Sequence, residues 1–301
     1  MTSQKLPKPN TPYKSWGEFT KAVWYWGLHY MDPAILDRWL DHAHGEMTKP
    51  RKDDAHLLRP SANLNCEMKL HLLKQGFKPQ SDKRNLGPTF NVGHLLHAHF
   101  FAQVESALPE GFLMSPEQLV NMAMIDWWPK DPAVAKQEGS ADLLLTWGDD
   151  AQDEAHAYFG DRLPARTVLI DVKSTADHIW KQKYKQPLLG TSPDSFGYES
   201  QLAMYHTALG LEGSAYFAYV NRNILSGKNP PAMVEMSARQ IAEELERVKR
   251  RVTESTPSPE MLLTWGRQVS WVCGAFGKSM DDAMCDFCVP CSEFWPVEID
   301  V

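Results

Sequence analysis

Asp171 and Lys173 stand two residues apart in TVLIDVKST (167–175), a spacing that puts both side chains on one face of a strand. Thr167, Val168, Leu169 and Ile170 are β-formers, so two opposite charges interrupt an otherwise apolar strand. Buried charges are costly unless they are paired or coordinate something. The alternative is that the strand ends here and the charges are solvated. A second acid, Asp142, opens the apolar stretch ADLLLTW. Alone it reads as a turn aspartate. Two carboxylates on adjacent strands, however, can converge on one hard divalent cation, with the Val172 carbonyl as a further oxygen ligand. Mg2+ and Mn2+ suit such oxygen donors. Such an ion acidifies a bound water and screens charge on a phosphate under attack. Lys173 would orient that water and hold the phosphate, and phosphodiester hydrolysis needs these groups.

The cysteines carry a second chemistry. There are five, Cys66, Cys273, Cys285, Cys288 and Cys291, and three fall within CDFCVPC. An odd count argues against a disulfide framework. The dense cluster reads as metal ligation, and thiolate sulfur suits either an iron–sulfur cluster or zinc.

Asp142 followed by Asp171-Val172-Lys173 resembles the D…(D/E)-x-K signature of the PD-(D/E)XK nucleases. Within that superfamily the chain is most similar to the RecB-like exonucleases, including CRISPR-associated and AddB-type nucleases. Gly93-His94-Leu95-Leu96-His97 matches their G-x-x-x-H element, which implies that His97 is a metal ligand. Gln201-Leu202-Ala203-Met204-Tyr205 matches their Q-x-x-x-Y motif, which implies that Gln201 and Tyr205 border the active site and help position DNA. In a subset of these enzymes one cysteine before the core and three after it bind a [4Fe–4S] cluster. Cys66, Cys285, Cys288 and Cys291 occupy those places, with a structural Zn2+ site as the alternative. Residue 141 is alanine where the family writes proline, and the third-motif acid is aspartate rather than glutamate. The final cysteine spacing is tighter than in the family's clusters, which leaves Cys273 as a substitute for one of the three. The resemblance runs from Ser61 to Cys291. It implies a metal-dependent DNA exonuclease acting at double-stranded ends or on single strands, in recombination, repair or CRISPR adaptation, in a bacterium or a phage. Recombination or CRISPR proteins are the partners it implies. A structure-specific endonuclease, or an inactive DNA-binding subunit on the same scaffold, is the alternative.

The elements that must position these residues follow from periodicity. The 301 residues, 43% apolar and 11% aromatic, suffice for one large α/β domain. The net charge of −7 excludes a uniformly basic coat but not a local basic groove. No apolar run is long enough to cross a membrane, and MTSQKLPKPN lacks a signal peptide's apolar core, so a cytoplasmic location is expected. Residues 1–60 read as an N-terminal helical region rich in Trp and His. Trp16, Trp24, Trp26 and Trp39 would form core or a partner-facing surface. SANLNCEMKLHLLKQG and NVGHLLHAHFFAQVESAL are expected helices. His97, Phe101 and Glu105 share one face of the second, where Glu105 would be exposed or would support the His97 site. ADLLLTW and RTVLIDVKS read as neighbouring strands joined by a long solvated acidic loop, GDDAQDEAH. A helix over FGYESQLAMYHTALG, a strand over SAYFAYVNR and a helix over SARQIAEELERVKRRV follow. That last helix opens on a Ser237/Gln240 capping box. The order predicts an α/β fold with a mixed central sheet flanked by helices, a restriction-endonuclease-like core over 61–255 and a Cys-rich C-terminal tail over 256–301. In WKQKYKQ (180–186), Lys181, Lys183 and Lys185 alternate around Trp180 and Tyr184. This is either a DNA-contacting segment or a solvated loop.

Overall fold

The computed structural model describes residues 4–49, 57–60, 67–76, 87–161, 163–187, 189, 197–222 and 229–253. All five cysteines, and the tail from 254 onward, lie outside these residues. A five-stranded sheet runs through the centre in the spatial order β1 (Phe112–Asn121), β2 (Glu138–Trp147), β3 (Thr167–Thr175), β4 (Ala215–Asn221), β5 (Ala232–Met236). The first three strands form an antiparallel meander. β4 then lies parallel to β3, and β5 returns antiparallel. The expected mixed sheet with flanking helices is present.

One face of the sheet carries α1 (Trp16–Tyr30), α2 (Pro33–Thr48), α4 (Gly87–Ala107) and α5 (Gln152–Phe159). Local chemistry starts these helices where the sequence does. Ser15 caps α1 by accepting the Glu18 N–H, and Asp32 caps α2 with Pro33 at the first helical position. Trp16, Phe19 and Val23 then fall on one stripe of α1 and are fully buried. Phe19 stacks on Phe112 at 4.7 Å and meets Trp16, Tyr158 and Phe159 edge-on or tilted. Trp24 and Trp39 are core as well, whereas Trp26 is half-buried and donates to the Gln4 carbonyl. The N-terminal helices are thus one layer of the same core as the sheet. α1 and α4 approach so closely that a β-carbon at Gly27 would stand 1.9 Å from the Gln103 carbonyl oxygen.

The opposite face carries α3 (Glu67–Lys74), α7 (Tyr198–Ala208) and α8 (Ala238–Thr253). Gly197 takes a left-handed φ of 72° at the start of α7, a conformation that costs glycine nothing. α8 opens on the expected capping box, Ser237 N–H donating to the Gln240 side chain and Gln240 N–H to Ser237 Oγ. Its buried stripe is Ile241, Glu244, Val248 and Val252. The buried Glu244 accepts from Ser200 Oγ (2.5 Å) and pairs with Arg247, which locks α8 to α7.

Two local expectations are corrected. The acidic stretch after β2 is not a solvated loop: it folds as a 3-10 turn (Asp149–Ala151) followed by α5. Asp153 and Glu154 suit the positive end of that helix, and Ala155, Tyr158 and Phe159 bury one face of it. WKQKYKQ is not a loop but falls largely within helix α6 (Asp177–Lys185). Strands β1 and β5, at the two edges of the sheet, extend the pattern read from periodicity. Among the described residues no helix is long and apolar enough to cross a membrane.

Candidate active site

β2 and β3 pair from Thr146↔Thr167 to Leu143↔Ile170. One step further the same register sets Asp142 opposite Asp171, and there the ladder gives way to side chains. The Asp142 carboxylate accepts the Val172 N–H at 2.7 Å. The Val172 carbonyl is met from the other side by His97 Nε2 at 2.9 Å. Alternation along β3 turns Val168, Ile170 and Val172 toward α4, and Leu169 toward α7. Asp171 and Lys173 follow the parity of Leu169, and Lys173 Nζ lies 2.7 Å from Asp171 Oδ2. That contact is an ion pair more than an aligned hydrogen bond, since Oδ2 is buried without a well-directed donor. Lys173 Nζ also sits 4.5 Å above the Tyr198 ring of α7.

α7 closes the site. Gln201 and Tyr205, one turn apart and both buried, present their polar ends together, with the Gln201 amide against the Tyr205 hydroxyl. That hydroxyl lies over β2 where residue 139 is glycine. A β-carbon there would stand 2.6 Å from the Tyr205 oxygen.

The electrostatics follow from burial. Burial raises the Asp171 carboxyl to about 7, with Lys173 pulling it down and Asp142 pushing it up. Asp142 is raised too, chiefly by burial. Burial disfavours the Lys173 charge, but Asp171 and Asp142 outweigh it and hold the ammonium firmly protonated. Burial, aided by Lys173, lowers His97 to about 4, so its imidazole is neutral at neutral pH. Burial and the two carboxylates raise Tyr205 to about 12, keeping its hydroxyl protonated.

Every residue expected from the D…D-x-K, G-x-x-x-H and Q-x-x-x-Y matches is therefore in one place. A buried carboxylate, Asp171, and a part-buried one, Asp142, face one lysine, and with both ionised they leave a negative charge that a cation can satisfy. The imidazole, the carboxylates and the Val172 carbonyl are donors that fit Mg2+ or Mn2+. Their ligand atoms are not drawn together, because Asp142 and His97 are each bonded to Val172. Among the described residues, the group with all ligand atoms within 4.8 Å of one another is instead His42, Glu46 and Glu117.

Other expected residues play different parts. Trp180 is 7% exposed, donates its indole N–H to the Pro230 carbonyl and supports Tyr184 by stacking at 4.9 Å, so it is not free to stack on a base. Lys181 pairs with Asp177, Lys183 lies over the Tyr219 ring, and Tyr184 and Lys185 are exposed. Glu105 accepts from the Trp39 indole and pairs with Arg38, tying α2 to α4 instead of supporting His97. Cys66, Cys285, Cys288 and Cys291, with Cys273, lie outside the described residues. Sequence reasoning missed Tyr198, although its spacing to Gln201 and Tyr205 (i, i+3, i+7) marks one helical face. It also missed Gly139, for which no local pattern exists. No family model matches the chain, and no curated protein or solved structure matches it either.

Proposed function

We propose that this chain is a metal-dependent DNA nuclease, an exonuclease acting at DNA ends or on single strands, built on a restriction-endonuclease-like core. The observation that carries the reading is the apposition of Asp142 and Asp171 across the open end of the β2–β3 ladder, with Lys173 against them. Asp142, Asp171, His97 and the Val172 carbonyl would hold Mg2+ or Mn2+. When bound, such an ion supplies Lewis-acid polarisation of the phosphate and a more acidic water. Lys173 acts as a fixed cation and not as a base, because its proton is held by two carboxylates. Its ammonium can bond a phosphate oxygen and orient the attacking water. Tyr205, kept protonated, and Gln201 offer hydrogen bonds at the rim of the same site. Exposed Lys185 on α6, the helix that follows β3, is the remaining candidate of its segment to meet substrate, since the Tyr184 ring is stacked on Trp180 and met by Lys21 at 4.5 Å.

The iron–sulfur reading, with Cys66, Cys285, Cys288 and Cys291 as ligands and a structural Zn2+ site as its alternative, rests on the family resemblance together with the close spacing of the last three. A brown, iron-containing preparation made without oxygen supports it, and a colourless zinc-containing one rejects it.

The test of activity is end-labelled linear, circular and single-stranded DNA incubated with Mn2+. Linear or single-stranded DNA is degraded from its ends, and Asp171→Ala or Lys173→Ala lowers the rate by at least about 10²–10³-fold with the circular dichroism spectrum unchanged. Cleavage of the circle assigns an endonuclease, and untouched DNA with all substrates refutes the reading.

A further inference from the structure

We propose that His42, Glu46 and Glu117 form a second divalent-cation site, separate from the Asp142–Asp171 centre, that ties α2 to the edge strand β1. His42 and Glu46 are one turn apart on α2 and share a face, and Glu117 reaches them from β1. One ligand atom from each lies within 4.8 Å of the others, and His42 Nε2 stands 2.8 Å from the Glu117 carboxylate.

Independent features mark this place as one that draws positive charge. The Lys49 ammonium pairs with Glu46, and the Glu117 carboxylate adds to the field that holds its proton. Two carboxylates against one lysine leave a net negative charge. Glu46 also lies in the last turn of α2, where the helix dipole favours a cation. The side chains are open enough for an ion to enter and keep water, with 42%, 23% and 34% exposure for His42, Glu46 and Glu117. An imidazole nitrogen with two carboxylate oxygens suits Mn2+ or Zn2+ better than Ca2+, which takes oxygen ligands throughout. On binding, the ion replaces the hydrogen between His42 and Glu117 and displaces Lys49 from Glu46.

The site also neighbours the proposed catalytic centre. The pairs Pro116↔Leu143 and Gln118↔Ala141 leave Glu117, at a left-handed φ of 49°, level with Asp142, and the Glu117 charge is felt by the Asp142 carboxyl. Glu117 thus turns to α2 while standing beside the strand that carries Asp142. A cation at His42, Glu46 and Glu117 would hold α2 and β1 together beside that strand.

Mn2+ titration of the full chain, followed by electron paramagnetic resonance, tests this, because Mn2+ prefers oxygen and nitrogen donors and leaves thiolate sites aside. In an Asp142→Asn, Asp171→Asn background one Mn2+ per chain should remain bound. Adding His42→Ala and Glu46→Gln should remove it, and His42→Ala alone should weaken it by more than the roughly 10–100-fold that follows loss of a supporting hydrogen bond. Both positions are solvent-accessible, so the variants should fold, with thermal unfolding as the control. The proposal is overturned if the Asp142→Asn, Asp171→Asn protein binds no Mn2+, or if the ion survives His42→Ala with Glu46→Gln. Neither outcome bears on DNA cleavage, so this site and the nuclease reading fail separately.

Discussion

At the scale of single residues, the site is governed by opposed ionisations. The Asp171 carboxyl titrates near 7 in the folded chain against an ordinary 3.8, so between those values the folded protein holds a proton that the unfolded chain has released. Its contribution to stability therefore falls as pH rises through that window. His97 does the reverse: its value near 4 against an ordinary 6.5 means that the unfolded chain binds the extra proton, and stability rises with pH. The two slopes oppose each other in the metal-free protein. Asp171→Asn should expose the His97 slope, so that urea melts in chelator show stability rising between about pH 4.5 and 6.5 by up to ~1.4 kcal/mol per pH unit, more steeply than in wild type. Equal slopes would remove Asp171 from the coupled set. Asp171 with Lys173, and Gln201 with Tyr205, were legible in the sequence because each pair shares one face, whereas Asp142 and His97 stood out through the resemblance to a family's order of motifs. Tyr198 and Gly139 were not legible, because a ring under an ammonium and a missing β-carbon under a hydroxyl are contacts between distant segments.

Elements were legible in proportion to their periodicity. α8 has a clean stripe behind a capping box, β3 and β4 are short apolar runs, and α4 and α7 are apolar over most of their length; all five lie within a few residues of where the sequence put them. β1 contains Pro116 and buries its residues irregularly, so edge position replaces pattern there. α5 and α6 were hidden behind acidic and basic runs whose apolar residues only make sense against the packed core. Close packing between elements gives sharp tests. Phe19→Ala should cost about 3–5 kcal/mol in denaturant melts, since the ring is fully buried between α1, β1 and α5. Gly139→Ala should instead spare most stability and displace Tyr205, lowering nuclease activity while circular dichroism stays unchanged. A variant with full activity would mean that the hydroxyl has no part in the site.

For the whole molecule, the three-layer arrangement predicts a gradient of opening. β3 is central and covered on both faces, with Val168, Leu169, Ile170 and Val172 each at most 1% exposed. β1 and β5 have one unpaired edge in the sheet. Hydrogen exchange should therefore be slowest in β3 and β4 and faster in β1 and β5, and uniform protection would contradict the layer order. The open end of the β2–β3 ladder has a further consequence. Because side chains alternate between faces, sliding β2 by one residue against β3 would replace Asp142 with Ala141 or Leu143 opposite Asp171. The chemistry is thus encoded in the alignment of two strands as much as in the identity of any residue. A single-residue insertion or deletion in the connection between α5 and β3 should be absorbed there without moving the acids, whereas one inside β2 should silence the site while leaving a folded protein.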